Sequence, residues 1–243
     1  MTAPSYLSSG TFWSNYQPSA FQFVAFYPST INAGDILILH ASMTGSTTIA
    51  IPTGWNNIGY STYSPWMTQR FCWKRATGSE SGWFTFNPND TNQKASRIHR
   101  FGGCLASGTP VEALTWGTKT NSATMAIPSI TTTNNDELCI ALCGYRLASG
   151  YGNDNATYYS EVTDDPGYPA TMAIFFYDYV KSVAGVVPAD SFTCGPIGAY
   201  HFSGAFALIP ASGYSNKPLG ISPGNIGNVD GVNLANIANI IGV

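Results

Sequence analysis

The feature that most limits the fold is the rhythm of the chain. Short extended runs alternate with turn residues throughout, and no stretch holds an apolar period of 3.6 residues. Phe21 to Tyr27 is the first such run, closed by Pro28-Ser29. Asn32-Ala33-Gly34-Asp35 turns the chain into Ile36-Leu37-Ile38-Leu39, whose unbroken apolarity suits a strand covered on both faces. Arg70 to Arg75 alternates, and Ala76 to Gly82 connects it to Trp83-Phe84-Thr85-Phe86 in the manner of a hairpin. Asn87 to Asn92 reads as a loop before the run Lys94 to Phe101.

The second half follows the same scheme. Met125-Ala126-Ile127-Pro128 is edge-like, because proline has no amide to donate. Glu137 to Cys143 sets Leu138, Ile140 and Leu142 on one face and Cys139, Ala141 and Cys143 on the other, the pattern of a strand inside a packed sandwich. Met172 to Tyr177, Ser191 to Cys194 and Phe202 to Pro210 complete the set. Eight to ten strands with long returns predict an all-β fold: a two-sheet antiparallel sandwich over residues 1–211, with a jelly roll as the expected connectivity. The stretch from Gly34-Asp35-Ile36-Leu37 to Phe101 and that from Asp136-Glu137-Leu138 to Leu208 are parallel in plan. Residues 212–219 read as a linker and 220–243 as a short repetitive appendage.

That appendage carries an eleven-residue repeat. Asn225-Ile226-Gly227-Asn228-Val229-Asp230-Gly231-Val232 lines up with Asn236-Ile237-Ala238-Asn239-Ile240-Ile241-Gly242-Val243. From Gly220 onward it holds nine large aliphatics and one charge, too much apolar surface to leave in water and too short a unit to bury it alone. It should dock, on its own body or on another chain, through Ile226, Val229, Val232, Ile237, Ile240 and Val243. Eleven residues give 3.67 per turn, which suits a helical coil, whereas its Gly and Asn suit a strand-turn repeat; both stay open. Asparagines and glycines break the run far short of the roughly 18 residues that a membrane span needs.

Charged residues are only 9% of the chain, aromatics are 14%, and Gly and Pro together make forty residues. This neutral, turn-rich composition fits an extracellular or virion surface, while Met1-Thr-Ala-Pro-Ser has no basic-then-apolar character of a secretory signal. Net charge is −3, so nucleic acid is not an expected partner. The charges are uneven: Arg70, Lys74, Arg75, Lys94, Arg97 and Arg100 crowd one segment, and eight acids lie between residues 135 and 190. On different faces these would meet across subunits; strand alternation would instead scatter them over a solvated surface.

The order Gly34-Asp35-Ile36-Leu37-Ile38, Pro52-Thr53-Gly54-Trp55, Trp73 to Gly78, Pro128 to Thr133 and Ala205 to Pro210 resembles a β-sandwich module of tailed-phage virion proteins and some bacterial surface proteins. The resemblance covers residues 20–211. The Val-x-Gly-Val pattern of the last residues is similar to the terminal repeats of phage fibre and tail-associated proteins. It implies a structural subunit of a fibre, a tail or a decorated head at the virion surface. Such a subunit would have no catalytic residues or cofactor, and would assemble with itself, a trimer being the natural closure, and with other virion proteins.

Chemistry is sparse. His40, His99 and His201 fall on different strands without carboxylate or cysteine at ligand spacing, and read as core or face histidines. Cys72, Cys104, Cys139, Cys143 and Cys194 are odd in number and form no CxxC, so they read as core thiols, with room for one disulfide, and no metal site is expected. Asp164-Asp165 with Asp178 could serve glycoside hydrolysis, and Asn153-Asp154-Asn155 could offer oxygens to calcium, but loop acids and amides are usually only solvated. The best binding candidates are aromatic: Tyr60, Tyr63 and Trp66 in a loop from Asn56 to Trp66, and Tyr151, Tyr158 and Tyr159. Exposed rings there would stack on a host-surface glycan or anchor a receptor; packed rings would cover the sandwich ends or an oligomer contact.

Overall fold

The computed structural model describes residues 2–15, 21–146, 156, 160–165, 172–193 and 200–211, and the backbone of 228–229 and 232–233. Thr2–Ala211 and Ser212–Val243 are separate compact units. The first, the body, is all-β, and among the described residues there is no helix, so none that could cross a membrane.

Two large antiparallel sheets make the body. The first has the order β1 (Ser5–Ser9), β8 (Lys94–Gly102), β4 (Ile36–Thr44), β6 (Met67–Arg75), β5 (Asn56–Tyr63), with β2 (Trp13–Asn15) also on β8. The second has the order β13 (Ser160–Asp165), β14 (Met172–Lys181), β12 (Glu137–Arg146), β17 (Tyr200–Leu208), β9 (Val111–Trp116). Three strand pairs accompany them: β3 (Phe21–Phe26) with β7 (Trp83–Asp90), β10 (Thr124–Ile127) with β16 (Asp190–Thr193), and β11 (Ile130–Thr132) with β15 (Gly185–Val187). The stretch Asn87 to Asp90, expected as loop, thus belongs to β7.

The two halves share one plan. Reading the first sheet as β1, β8, β4, β6, β5 and the second as β9, β17, β12, β14, β13 matches strand to strand, and β3–β7 corresponds to the β10–β16 and β11–β15 pairs. Each half therefore builds a whole sheet of its own.

Packing follows from the alternation of side chains in a strand. Ile36, Ile38, Phe71 and Phe101 of the first sheet meet Leu138, Ile140, Leu142, Phe176, Phe206 and Leu208 of the second. The residues between them point the other way. Leu37, Leu39, Ala41 and Met43 of β4 pack against Phe23 and Phe86 of the β3–β7 pair. Cys139, Ala141, Cys143 and Tyr145 of β12 pack with Met125, Ile127, Val187 and Phe192 of the two outer pairs. Both faces of each central strand are covered, so β4 and β12 are buried almost end to end and read as unbroken apolar runs. The expected two-sheet sandwich is present, and each of its sheets has a further layer outside.

A polar node crosses the inner face. Gln69 Nε2 of β6 donates to Phe202 O of β17 at 2.7 Å, and Gln69 Oε1 lies 2.9 Å from His40 Nε2. The amide oxygen can only accept, so the histidine carries its proton on Nε2. Burial pushes His40 down to about 3, which keeps the ring neutral. Gly144 of β12 faces this node, where a Cβ would lie 2.6 Å from Gln69 Cδ and 2.7 Å from Ser42 Oγ.

Candidate binding surfaces

In the C-terminal unit, Asn228 pairs with Asn233 and Val229 with Val232, antiparallel. The two residues between are Asp230-Gly231, a dipeptide that favours two-residue hairpins. The backbone of one repeat thus has strand geometry at Val229 and Val232. Ile226, Ile237, Ile240 and Val243 lie outside the described residues.

The segment Asn56 to Trp66, expected as a loop, is strand β5 followed by a turn. Its aromatics are half-buried and partnered within the body. Trp66 stacks on Tyr200 with ring centroids 4.1 Å apart and planes 7° from parallel, and Tyr63 meets the same Tyr200 edge-on at 5.7 Å. The Arg146 guanidinium lies 5.6 Å from the Trp66 ring, and Arg70 lies 4.8 Å from that of Tyr60. Tyr63 and Trp66 belong to the first half, Arg146 and Tyr200 to the second, so this cluster clasps the halves together. Tyr151, Tyr158 and Tyr159 lie outside the described residues.

The basic segment is not a surface patch. Arg70 is buried and donates to Ile49 O and Asn57 Oδ1, Lys94 is buried, and Arg100 meets Asp35 Oδ2 at 2.6 Å. Lys74 pairs with Glu80 at 3.0 Å. Most of these cations are spent inside the fold and are not free to meet acids on another subunit.

A concavity beside β7 was not legible from the sequence. A cleft of about 410 Å³ runs beside β7, walled by Tyr27, Trp55 and Phe84 and floored in part by Asn87. Four consecutive residues of β7, Phe84 to Asn87, line it. Side chains of a strand alternate, so consecutive lining means that the cleft follows the strand's edge. Across it lie Ile51, 44% exposed, and Thr53. Asn87 sits at φ 72°, its Oδ1 accepting from Ala50 N–H at 2.7 Å. Burial raises the Tyr27 phenol above its usual range, so it stays a neutral hydroxyl. The one sequence signal for this place was the turn Pro52-Thr53-Gly54-Trp55; Tyr27 and Phe84 sit in strand patterns that look like core.

The ionisable groups weighed for catalysis or metal binding are placed as follows. His99 and His201 are lowered by burial, and His201 Nε2 lies 2.8 Å from Ser122 O. Cys72, Cys104 and Cys139 are pushed up to about 12 by burial and are free thiols; Cys143 is buried on β12, and Cys194 lies outside the described residues. Asp178 faces Ser160, while Asp164 and Asp165 face Phe175 and Ile174, three and four residues further along β14. The backbone at Asp164 and Asp165 is thus offset from Asp178 by about 10 Å of strand. Asn153, Asp154 and Asn155 lie outside the described residues. Among the described residues no three His, Cys, Asp or Glu side chains converge as metal ligands do.

No protein-family model matches the chain, and neither curated proteins nor solved structures give a match.

Proposed function

We propose that this chain is a non-enzymatic structural subunit of a tailed-phage particle, a fibre, tail-associated or head-decoration protein. Its β body faces outward at the virion surface, and its C-terminal repeat assembles with copies of itself, as a trimer, and with other virion proteins. The observation that carries the reading is the change at Ala211. There a body with its own closed cores ends, and a separate unit with a repeated apolar sequence and strand pairing at 228–233 begins. Aliphatics at that density are stable only when covered, and three such segments can cover one another. Light scattering on the full chain and on residues 1–211 tests it. The expected result is a trimer for the full chain and a folded monomer for the truncation. Two monomers, with the truncation less stable, would return the repeat to the body's own core and overturn the reading.

The cleft beside β7 favours a second reading, a carbohydrate- or receptor-binding module. Rings with hydroxyls at the rim suit a sugar face, and the cleft offers the half-buried Tyr27 and Phe84, tilted against each other at 5.4 Å, with Thr53 beside them, as an alternative to Tyr60, Tyr63 and Trp66. On a glycan array, Tyr27→Ala should abolish any binding that the full chain shows, and Trp66→Ala should not. The reverse pattern would discard the cleft.

A further inference from the structure

The three histidines of the chain are all buried, and they are held differently. His40 Nε2 lies 2.9 Å from Gln69 Oε1, and His201 Nε2 lies 2.8 Å from Ser122 O. His99 is 1% exposed, and among the described residues neither of its ring nitrogens has a hydrogen-bond partner. A neutral imidazole offers one donor and one acceptor, whereas a charged one offers two donors. With no acceptor in reach, a second N–H on this ring would go unmet, and burial adds the cost of a charge taken out of water. His99 is held neutral, well below the usual histidine range, by burial first and by Arg97 and His40 after it.

The ring lies among aromatics. His99 is on β8, between Ile38 of β4 and Ser9 of β1. Phe176 of β14 comes across the seam to a centroid distance of 4.7 Å, and Tyr6 of β1 lies 6.5 Å away. Tyr6 in turn lies 5.9 Å from Phe101 and 5.3 Å from Phe176, so through this side chain β1 closes over the box. The walls are unequal in strength. β4 and β14 are each paired on both sides, whereas β1 is paired only to β8, over four register pairs that slip between Tyr6 and Ser8. The titratable groups toward the box are Arg97 of β8, whose Nε donates to Gly10 O at 3.1 Å, His40 of β4, Tyr6 of β1 and, two residues past Phe176, Asp178 of β14. Burial raises Asp178, and it is not among the groups that act on His99. Among the described residues no carboxylate balances a charge on this histidine.

We propose that His99 is an acid trigger for strand β1: a proton on its ring is accommodated by releasing Tyr6 and β1 from β8, which admits water to the aromatic box. β1 gives way first because it is the outermost wall and its ladder is already broken by the slip after Tyr6. Linkage fixes the sign. The ring is unprotonated in the closed body and ordinary once β1 opens, so closure has its full strength above pH 6.5 and weakens about tenfold for each pH unit below it. Release leaves that stretch of the β8 edge open to pairing with another strand. Acid thus opens the first sheet at its N-terminal edge and leaves its central strands in place.

Amide hydrogen exchange of the full chain at about pH 7 and about pH 5, corrected for intrinsic rate, tests the trigger. The probe is the Gly10 amide, which donates to Ile98 O at 2.8 Å just past β1, and the control is the Leu39 amide in central β4. Gly10 protection should fall about 25-fold between the two conditions while Leu39 stays protected. His99→Phe fills the box with a ring that takes no proton, and Gly10 protection should then be equal at both. Should that variant fail to fold, His99→Leu removes the titration with a smaller side chain and should give the same flat result. Constant Gly10 protection in the wild type, an equal fall in a folded variant, or Leu39 losing protection in step with Gly10 would overturn the trigger.

Discussion

Arg100→Met is expected to destabilise the body by about 3–5 kcal/mol, a loss of about 10 °C in Tm. The reason is what it leaves behind. Asp35 is 9% exposed and Arg100 is 7% exposed, with Arg100 Nε 2.6 Å from Asp35 Oδ2. A methionine fills much of the arginine's stem but leaves a carboxylate buried with only the Asn32 amide as donor. Asp35 also immediately precedes β4, the central strand of the first sheet, so the strain falls beside a strand packed on both faces. Asp35→Asn combined with Arg100→Met should recover most of the loss, because a neutral amide costs far less to bury. Chemical denaturation of the three variants measures this. A single variant within 1 kcal/mol of wild type would mean that water already reaches the pair.

The same contact marks the boundary of what the sequence could reveal. Most core strands were legible as extended runs between turns, although β5 and the end of β7 were read as loop, and the double covering of β4 was legible because its apolar run is unbroken. The shared plan of the halves was visible at Gly34-Asp35-Ile36-Leu37 and Asp136-Glu137-Leu138, two local turns of the same design. Pairings between distant residues were not. Arg100 lies 65 residues from Asp35 and Gln69 lies 133 residues from Phe202, and nothing local distinguishes a buried arginine from a solvated one. The partners of the aromatic candidates were hidden similarly. Trp66 reads as a loop ring until Tyr200 and Arg146 arrive from the other half, and Tyr27 and Phe84 read as core until the edge of β7 is seen open beside them. The burial of Glu137 was hidden for a subtler reason. Glu137 looks like a surface acid, and its burial shows only once β12 lies between β14 and β17, with Ala207 where the first half has Arg100.

Gly144→Ala should be nearly as damaging as the arginine change, at about 3 kcal/mol, although it adds one methyl group. The added Cβ would lie 2.6 Å from Gln69 Cδ and 2.7 Å from Gln69 Oε1 and Ser42 Oγ, closer than real contacts allow. Gln69 cannot swing aside freely, since its amide joins His40 of the first sheet to the Phe202 carbonyl of the second. Displacing it takes the Gln69 donor from that buried carbonyl and leaves His40 Nε2–H with Ser42 Oγ alone at 3.1 Å, about 1–3 kcal/mol, beside about 1–3 kcal/mol for overpacking. A backbone explanation is separable. Gly34→Ala, at φ 92° with no heavy atom within 4 Å of the new Cβ, should cost only about 1 kcal/mol. The decisive comparison is a cycle with Gln69→Ala, which removes the obstacle and the bridge together. If the clash is the cause, Gly144→Ala should cost much less in that background, giving a coupling of at least about 1 kcal/mol. Additive losses would place the effect elsewhere than the node that aligns the two sheets.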